Sequence, residues 1–161
     1  MKKLLLIRHA RATHDLDFED FERPLKKSGI RDAELMAERL LAEKLVPQNL
    51  VTSPALRTLS TADIFTQFLS LPKAKEDIRI YEANRPALLQ VINEFDQKQD
   101  FMGLVGHNPT LEQIIYYFTG QSLDFPTCAI ALIGFKLDSW EMISAGTGTV
   151  KWYSFPKEDI N

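Results

Sequence analysis

Residues 4–15, LLLIRHARATHD, open with four aliphatic side chains in succession and then stop at Arg8-His9. An apolar run without polar alternation is the pattern of a strand buried on both faces, as in a parallel sheet covered by helices. Ending such a strand in an arginine and a histidine puts both beyond its carboxyl end, where open α/β sheets bind their ligands. The question is what such a pair would be aimed at.

Downstream, the pattern alternates. Ala10–Lys27 reads as a long polar loop. Ser28 is expected to cap a helix running to about Lys44, with Ile30, Leu35, Met36, Leu40 and Leu41 at roughly helical spacing. Pro47 ends that unit, and Leu50-Val51-Thr52 is a short strand. Ser53-Pro54 has the form of an N-cap with a first-turn proline, opening a helix to about Leu69. A third strand is expected at Ile78–Tyr81 and a third helix from Pro86. A fourth strand follows at Phe101–Val105, then a helix from Thr110 to about Thr119. Ala129–Leu137 and Glu141–Ala145 flank Asp138-Ser139, the pattern of a hairpin. Strands alternating with helices predict an α/β fold, a mostly parallel sheet flanked by helices with a C-terminal antiparallel hairpin. No repeat, linker or low-complexity segment interrupts it, so residues 1–161 are expected to form one domain.

Composition narrows the function classes. The chain is 45% hydrophobic and 25% charged, ordinary for a soluble protein. Its net charge is −3 and its pI about 5.6, so no general field attracts nucleic acid, and an anion site must be a local cluster of cations. The single cysteine, Cys128, excludes an internal disulfide and lends no support to secretion. Leu4–Ile7 is too short for a signal segment or a membrane span, and a cytoplasmic location is expected.

Four expected strand ends carry the chemistry. The first bears Arg8-His9. The second is followed by TSPALRTLSTA, which puts Arg57 in the first turns of its helix. The third ends in Tyr81-Glu82, and the fourth in Gly106-His107-Asn108-Pro109. Two of the chain's three histidines thus converge with two arginines on one sheet edge. Arginines bind phosphate oxygens in a planar, bidentate way and stay charged. Helix N-termini add backbone donors. A neutral imidazole can attack phosphorus while a second, protonated one stabilises the transferring oxygens. The set suits phosphoryl transfer without a metal or other cofactor.

LIRHARA, RPLKKSGIRDA, VTSPALRTLSTA and LVGHNPTL together resemble the histidine phosphatase superfamily, with its phosphoglycerate-mutase-like fold. The length and the RPL segment are similar to its small SixA-like branch, the phosphohistidine phosphatases. The resemblance implies that His9 is the phosphorylated nucleophile. It implies that Arg8 and Arg57 bind the phosphoryl oxygens and that His107 is their cationic partner. Arg23, in RPL, matches an arginine of that branch. Glu82 stands where larger members carry a general acid. One departure is Ala10, where the common motif has glycine; alanine resists positive φ, so the turn after His9 should keep an ordinary conformation. The implied substrate is phosphohistidine on a protein, such as a histidine-phosphotransfer domain.

Each residue also has a plainer reading. Arg8-His9 could be satisfied by surface carboxylates, Arg57 could be a solvated helix residue, and His107 could orient a turn. Arg23 could pair with the acidic loop DLDFEDFE, and Glu82 could be an ordinary surface carboxylate. Arg11 and His14 read as loop residues. Cys128 lies in an apolar run and is expected to be buried, with no arginine after it to make a cysteine phosphatase loop. GTGTVK lacks the third glycine of a dinucleotide fingerprint, and the histidines lack compact metal-ligand spacing. Two rivals share or contest the site: an enzyme acting on a small phosphate ester, and a phosphate-binding regulatory module without turnover.

Overall fold

The computed structural model describes residues 1–157. Its centre is a six-stranded sheet: β1 (Lys2–Arg8), β2 (Asn49–Thr52), β3 (Lys75–Glu76), β4 (Phe101–Gly106), β5 (Ile130–Phe135) and β6 (Gly148–Ser154), in the order β3-β2-β4-β1-β5-β6. The pairs β1/β4, β2/β4 and β2/β3 are parallel, while β5 runs antiparallel to both β1 and β6. Four helices cover the sheet: α1 (Lys27–Ala42), α2 (Leu56–Phe68), α3 (Arg85–Asn93) and α4 (Thr110–Thr119). None is long and apolar enough to cross a membrane.

The opening run explains itself here. Leu4 and Leu6 pack in one core with α3 and α4, and Leu5 and Ile7 pack in a second with α1 and α2. Consecutive strand residues face opposite sides, so a strand with helices on both faces needs an unbroken aliphatic run. The result is a three-layer α/β fold of the expected class.

Four local expectations give way to tertiary packing. The helix after the long loop starts at Lys27 and not under a Ser28 cap, and it buries Gly29, Ala33, Met36, Ala37 and Leu40. Ile30, Leu35 and Leu41 stay partly exposed, because a stripe of small residues lets the helix approach the sheet more closely than the bulkier ones would. A Cβ at Gly29 would lie 2.3 Å from the backbone oxygen of Arg11, so glycine is what allows α1 to press against the loop leaving β1. The second helix begins at Leu56, and the hydroxyl of Ser53 is bonded to His107 (2.9 Å).

The third strand is Lys75–Glu76, earlier than expected, and Ile78–Ile80 is a single 3₁₀ turn. The Asp77 carboxylate accepts from the backbone N–H of Arg79 and from its guanidinium, a local bond that turns the chain out of the sheet. The hairpin partner of β5 is β6, not Glu141–Ala145. The segment between them is pulled away by Trp140, fully buried, whose indole N–H donates to the Gln99 carbonyl (2.7 Å) and whose own carbonyl accepts from Asn93.

Candidate active site

The register of the parallel pair sets the site. Arg8 on β1 is opposite Gly106 on β4, so His9 and His107 are the next residues out on adjacent strands. Their ring centroids are 5.4 Å apart, tilted by 56°. Both line a cavity of about 380 Å³ beyond the carboxyl ends of these strands. Arg8, Arg23, Arg57 and Glu82 line it as well, so every site residue expected from the sequence faces one space. Arg11 and His14, read as plain loop residues, also reach its wall.

His9 is held in one tautomer. Its Nδ1 lies 2.8 Å from the carbonyl oxygen of Ala10, an acceptor only, so Nδ1 carries the hydrogen and Nε2 keeps its lone pair. Ala10 itself is fixed by donating its N–H to the Thr61 hydroxyl (3.0 Å), and its φ is ordinary, as a residue with a Cβ requires. Burial holds the imidazole down at about 4; the Ala10 bond opposes this, and Arg57, Arg8 and Arg23 reinforce it. His9 is therefore neutral at pH 7, with the lone pair on Nε2.

His107 accepts from or donates to Ser53 Oγ through Nε2, and the edge of Tyr81 packs against its ring at 5.8 Å. Burial, then His9, then Arg57 push it down to about 3, with only Asp20 opposing among the nearby charges. In the empty pocket, burial first and the neighbouring His9 and Arg57 next disfavour a proton on His107. Glu82 lines the cavity in a left-handed conformation (φ 56°), which a non-glycine residue adopts only when its surroundings impose it.

Each arginine is anchored at its tip. Arg8 Nη1 donates to the Phe125 carbonyl (3.0 Å), and that carbonyl also accepts from Asn108 (2.8 Å). Arg57 Nη1 donates to the Asp20 carbonyl (2.7 Å) and Nη2 to its carboxylate (3.2 Å). The Nε–H groups of both are buried and have no hydrogen-bond partner among the described residues. An unmet buried donor is costly. Both belong to side chains that line the cavity with His9.

Asp20 is the residue that sequence reading missed. It sits on a 3₁₀ turn (Asp20–Glu22) within the loop after β1. Its carboxylate accepts from Tyr81 Oη (2.7 Å), from Arg57, and from Nε and Nη2 of Arg23 (both 3.2 Å). Tyr81 most of all, with help from Arg57 and Arg23, holds the carboxyl down at about 2. Arg23 also donates to the Thr13 carbonyl, so both readings of it hold: it pairs with the acidic loop and faces the cavity. The only sequence signal for Asp20 is its i,i+3 spacing to Arg23, a common pattern. Cys128 is buried, its thiol is pushed up by desolvation, and its N–H donates to the His9 carbonyl.

Acid should destabilise the fold through the two rings. Each imidazole titrates near 6.5 when exposed and near 4 or 3 in the fold, so below pH 6.5 the unfolded chain binds protons that the native chain excludes. Their contribution is intact above that pH and is lost as pH falls toward 4, at up to about 1.4 kcal/mol per pH unit for each ring. Thermal melting between pH 7 and 4.5 should show the decline, and His9→Gln should make it shallower. An unchanged slope in that variant would mean His9 is protonated in the native state.

The fold and site together define an α/β protein of phosphoglycerate-mutase-like architecture with a pocket lined by histidines and arginines. Residues 4–84 match the model of the histidine phosphatase superfamily (branch 1), and the chain belongs to that superfamily. An uncharacterized chloroplastic protein of Arabidopsis thaliana is 26% identical over 162 residues, spanning 94% of this chain and 74% of that one. Among solved structures, the candidate phosphohistidine phosphatase SixA of Agrobacterium tumefaciens superimposes with a TM-score of 0.82 at 22% identity, over 95% and 97% of the two chains. The protein histidine phosphatase SixA in complex with tungstate gives 0.79 at 23% identity, over 96% and 97%.

Proposed function

We propose that this member of the superfamily is a phosphatase acting on phosphohistidine carried by a protein, through a phosphorylated His9. One observation carries the reading: a buried neutral imidazole, locked with Nε2 free, in a cavity also lined by two arginines with unmet buried donors. A protein that only bound phosphate would need the arginines but not a nucleophile set in one tautomer. Tungstate, held by the solved SixA, is a tetrahedral oxyanion of the kind this cation set suits.

In the first step Nε2 of His9 attacks phosphorus and the bond from phosphorus to the substrate ring nitrogen breaks. When the other ring nitrogen of the substrate is protonated, the leaving group is neutral imidazole. His9 becomes a phosphoimidazolium, and its Nδ1–H···O=C bond to Ala10 strengthens as the ring gains charge. In the second step water attacks phosphorus, the Nε2–P bond breaks, His9 returns neutral, and both protons of the water remain on the released phosphate. Arg8, Arg57 and Arg23 bind the phosphoryl oxygens, and His107 becomes cationic once that negative charge is present. No cofactor or metal enters either step.

Glu82 separates this reading from a small-molecule phosphomonoesterase. An alkoxide leaving group gains typically 10²–10⁴-fold from a positioned acid, whereas a protonated imidazole leaves without one. Glu82→Gln should keep phosphohistidine turnover within about tenfold of wild type. Paired rates on a phosphorylated histidine-phosphotransfer domain and on a panel of phosphate esters test it. Turnover confined to esters, with Glu82→Gln losing most of it, would favour the metabolite enzyme.

A further inference from the structure

We propose that residues Asp15–Glu22 form a docking loop for the protein that carries the phosphohistidine. The partner surface it fits presents apolar side chains flanked by lysine or arginine. This rests on the proposed substrate. Among the described residues, twelve large apolar side chains are exposed. Five of them, Leu16, Phe18, Phe21, Leu56 and Ile78, lie within three residues of a side chain lining the cavity. Scattered exposed hydrophobics need no explanation, but Leu16, Phe18 and Phe21 share one segment between His14 and Arg23, which line the cavity, and Phe21 packs on Tyr81 of its wall; a grouping of this kind marks an interaction surface.

The loop is also built to hold those side chains out. Leu16 at its tip is 98% exposed and Phe18 43%. Phe18 N–H donates to the Asp15 carbonyl, Asp17 N–H to the Asp15 carboxylate, and Glu22 N–H to the Glu19 carbonyl. The base of the loop is closed by an Ala12–Leu25 bridge, and Asp20 ties it to Arg57. A segment fixed in this way keeps its apolar side chains in water, and presenting them pre-ordered lowers the entropy lost on binding.

Charge selects the partner. Asp15, Asp17, Glu19 and Glu22 alternate with the apolar residues, and among the described residues none of the four carboxylates forms an ion pair. The cavity beside them is lined by five arginine and lysine side chains against two carboxylates, Asp20 and Glu82. The face thus pairs a positive hole for the phosphoryl group with a negative, apolar rim. That complements a phosphohistidine flanked by leucine-like and basic side chains, and rejects an acidic surface.

The test measures kcat/KM on three substrates: free phosphohistidine, a phosphohistidine peptide with leucine and lysine neighbours, and one with serine and glutamate neighbours. Wild type should prefer the leucine–lysine peptide. Leu16→Ser with Phe18→Ser should lower that peptide's kcat/KM at least about tenfold through KM, leaving free phosphohistidine unchanged. Asp17→Lys with Glu19→Lys should remove the preference over the glutamate peptide and its salt dependence. Turnover of all three with no peptide preference, or an equal loss on free phosphohistidine, overturns the docking loop alone. No turnover of any of the three overturns the substrate reading, and the docking proposal with it.

Discussion

His9→Ala is expected to abolish turnover, by at least about 10⁴-fold in kcat, the scale on which removal of a covalent nucleophile acts. No other group can replace it. The second imidazole is 5.4 Å away, centroid to centroid, and its Nε2 is bonded to Ser53. Nor is its tautomer set as His9's is, because Nε2 meets a hydroxyl that can donate or accept and not a carbonyl that can only accept. Binding should survive better than chemistry, because both arginines keep their anchors at Phe125 and Asp20 when the ring is gone. The variant should therefore still bind vanadate or tungstate. Quenching wild type during turnover should trap phosphate on His9 that is labile to acid and stable to alkali. Appreciable turnover in His9→Ala, or a trapped phosphate elsewhere, would end the covalent scheme.

The position of His9 was legible in the sequence because its physics is local, while its role as nucleophile comes from the resemblance. Leu4–Ile7 must be buried on both faces, and once it is, Arg8-His9 has nowhere to stand but the strand end. The same logic carries Gly106-His107, since parallel pairing brings the two strand ends level. What was not legible depends on contacts between distant segments. Lys75–Glu76 has no strand-like composition, and it pairs because β2 offers an edge at Val51–Thr52. β6 displaced the nearer Glu141–Ala145 because a buried Trp140 holds that stretch against α3. Asp20 was hidden for a related reason. Its partners Arg57 and Tyr81 are 37 and 61 residues away, and nothing in an acidic loop distinguishes the one carboxylate that meets them. The lowered proton affinity of His107 in the empty pocket was hidden for the same reason, since it comes from burial and from neighbours distant in sequence, His9 and Arg57.

Arg57→Ala should reduce kcat/KM by about 10²–10³, the usual loss when one preorganised donor set is removed from a transition state. The size follows from how the side chain is held. Arg57 is only 6% exposed, and its tip is fixed end-on by the carbonyl and carboxylate of Asp20. Its orientation is therefore settled before the phosphoryl group arrives, and its Nε–H has no partner among the described residues. Arg57→Lys keeps the charge but loses the fork, so it should stay at least about tenfold below wild type. Asp20→Asn keeps the backbone carbonyl that holds Nη1 and loses the charge that holds Nη2 and Arg23. As a positioning residue, Asp20 should lower kcat more than it raises the dissociation constant for vanadate. The measurements are steady-state rates on phosphohistidine and vanadate inhibition for the three variants. If Asp20→Asn binds vanadate more tightly and turns over faster, the carboxylate competes with phosphate for Arg57 and does not hold it in place. If Arg57→Ala stays within threefold of wild type, Arg57 is not at the reacting phosphorus.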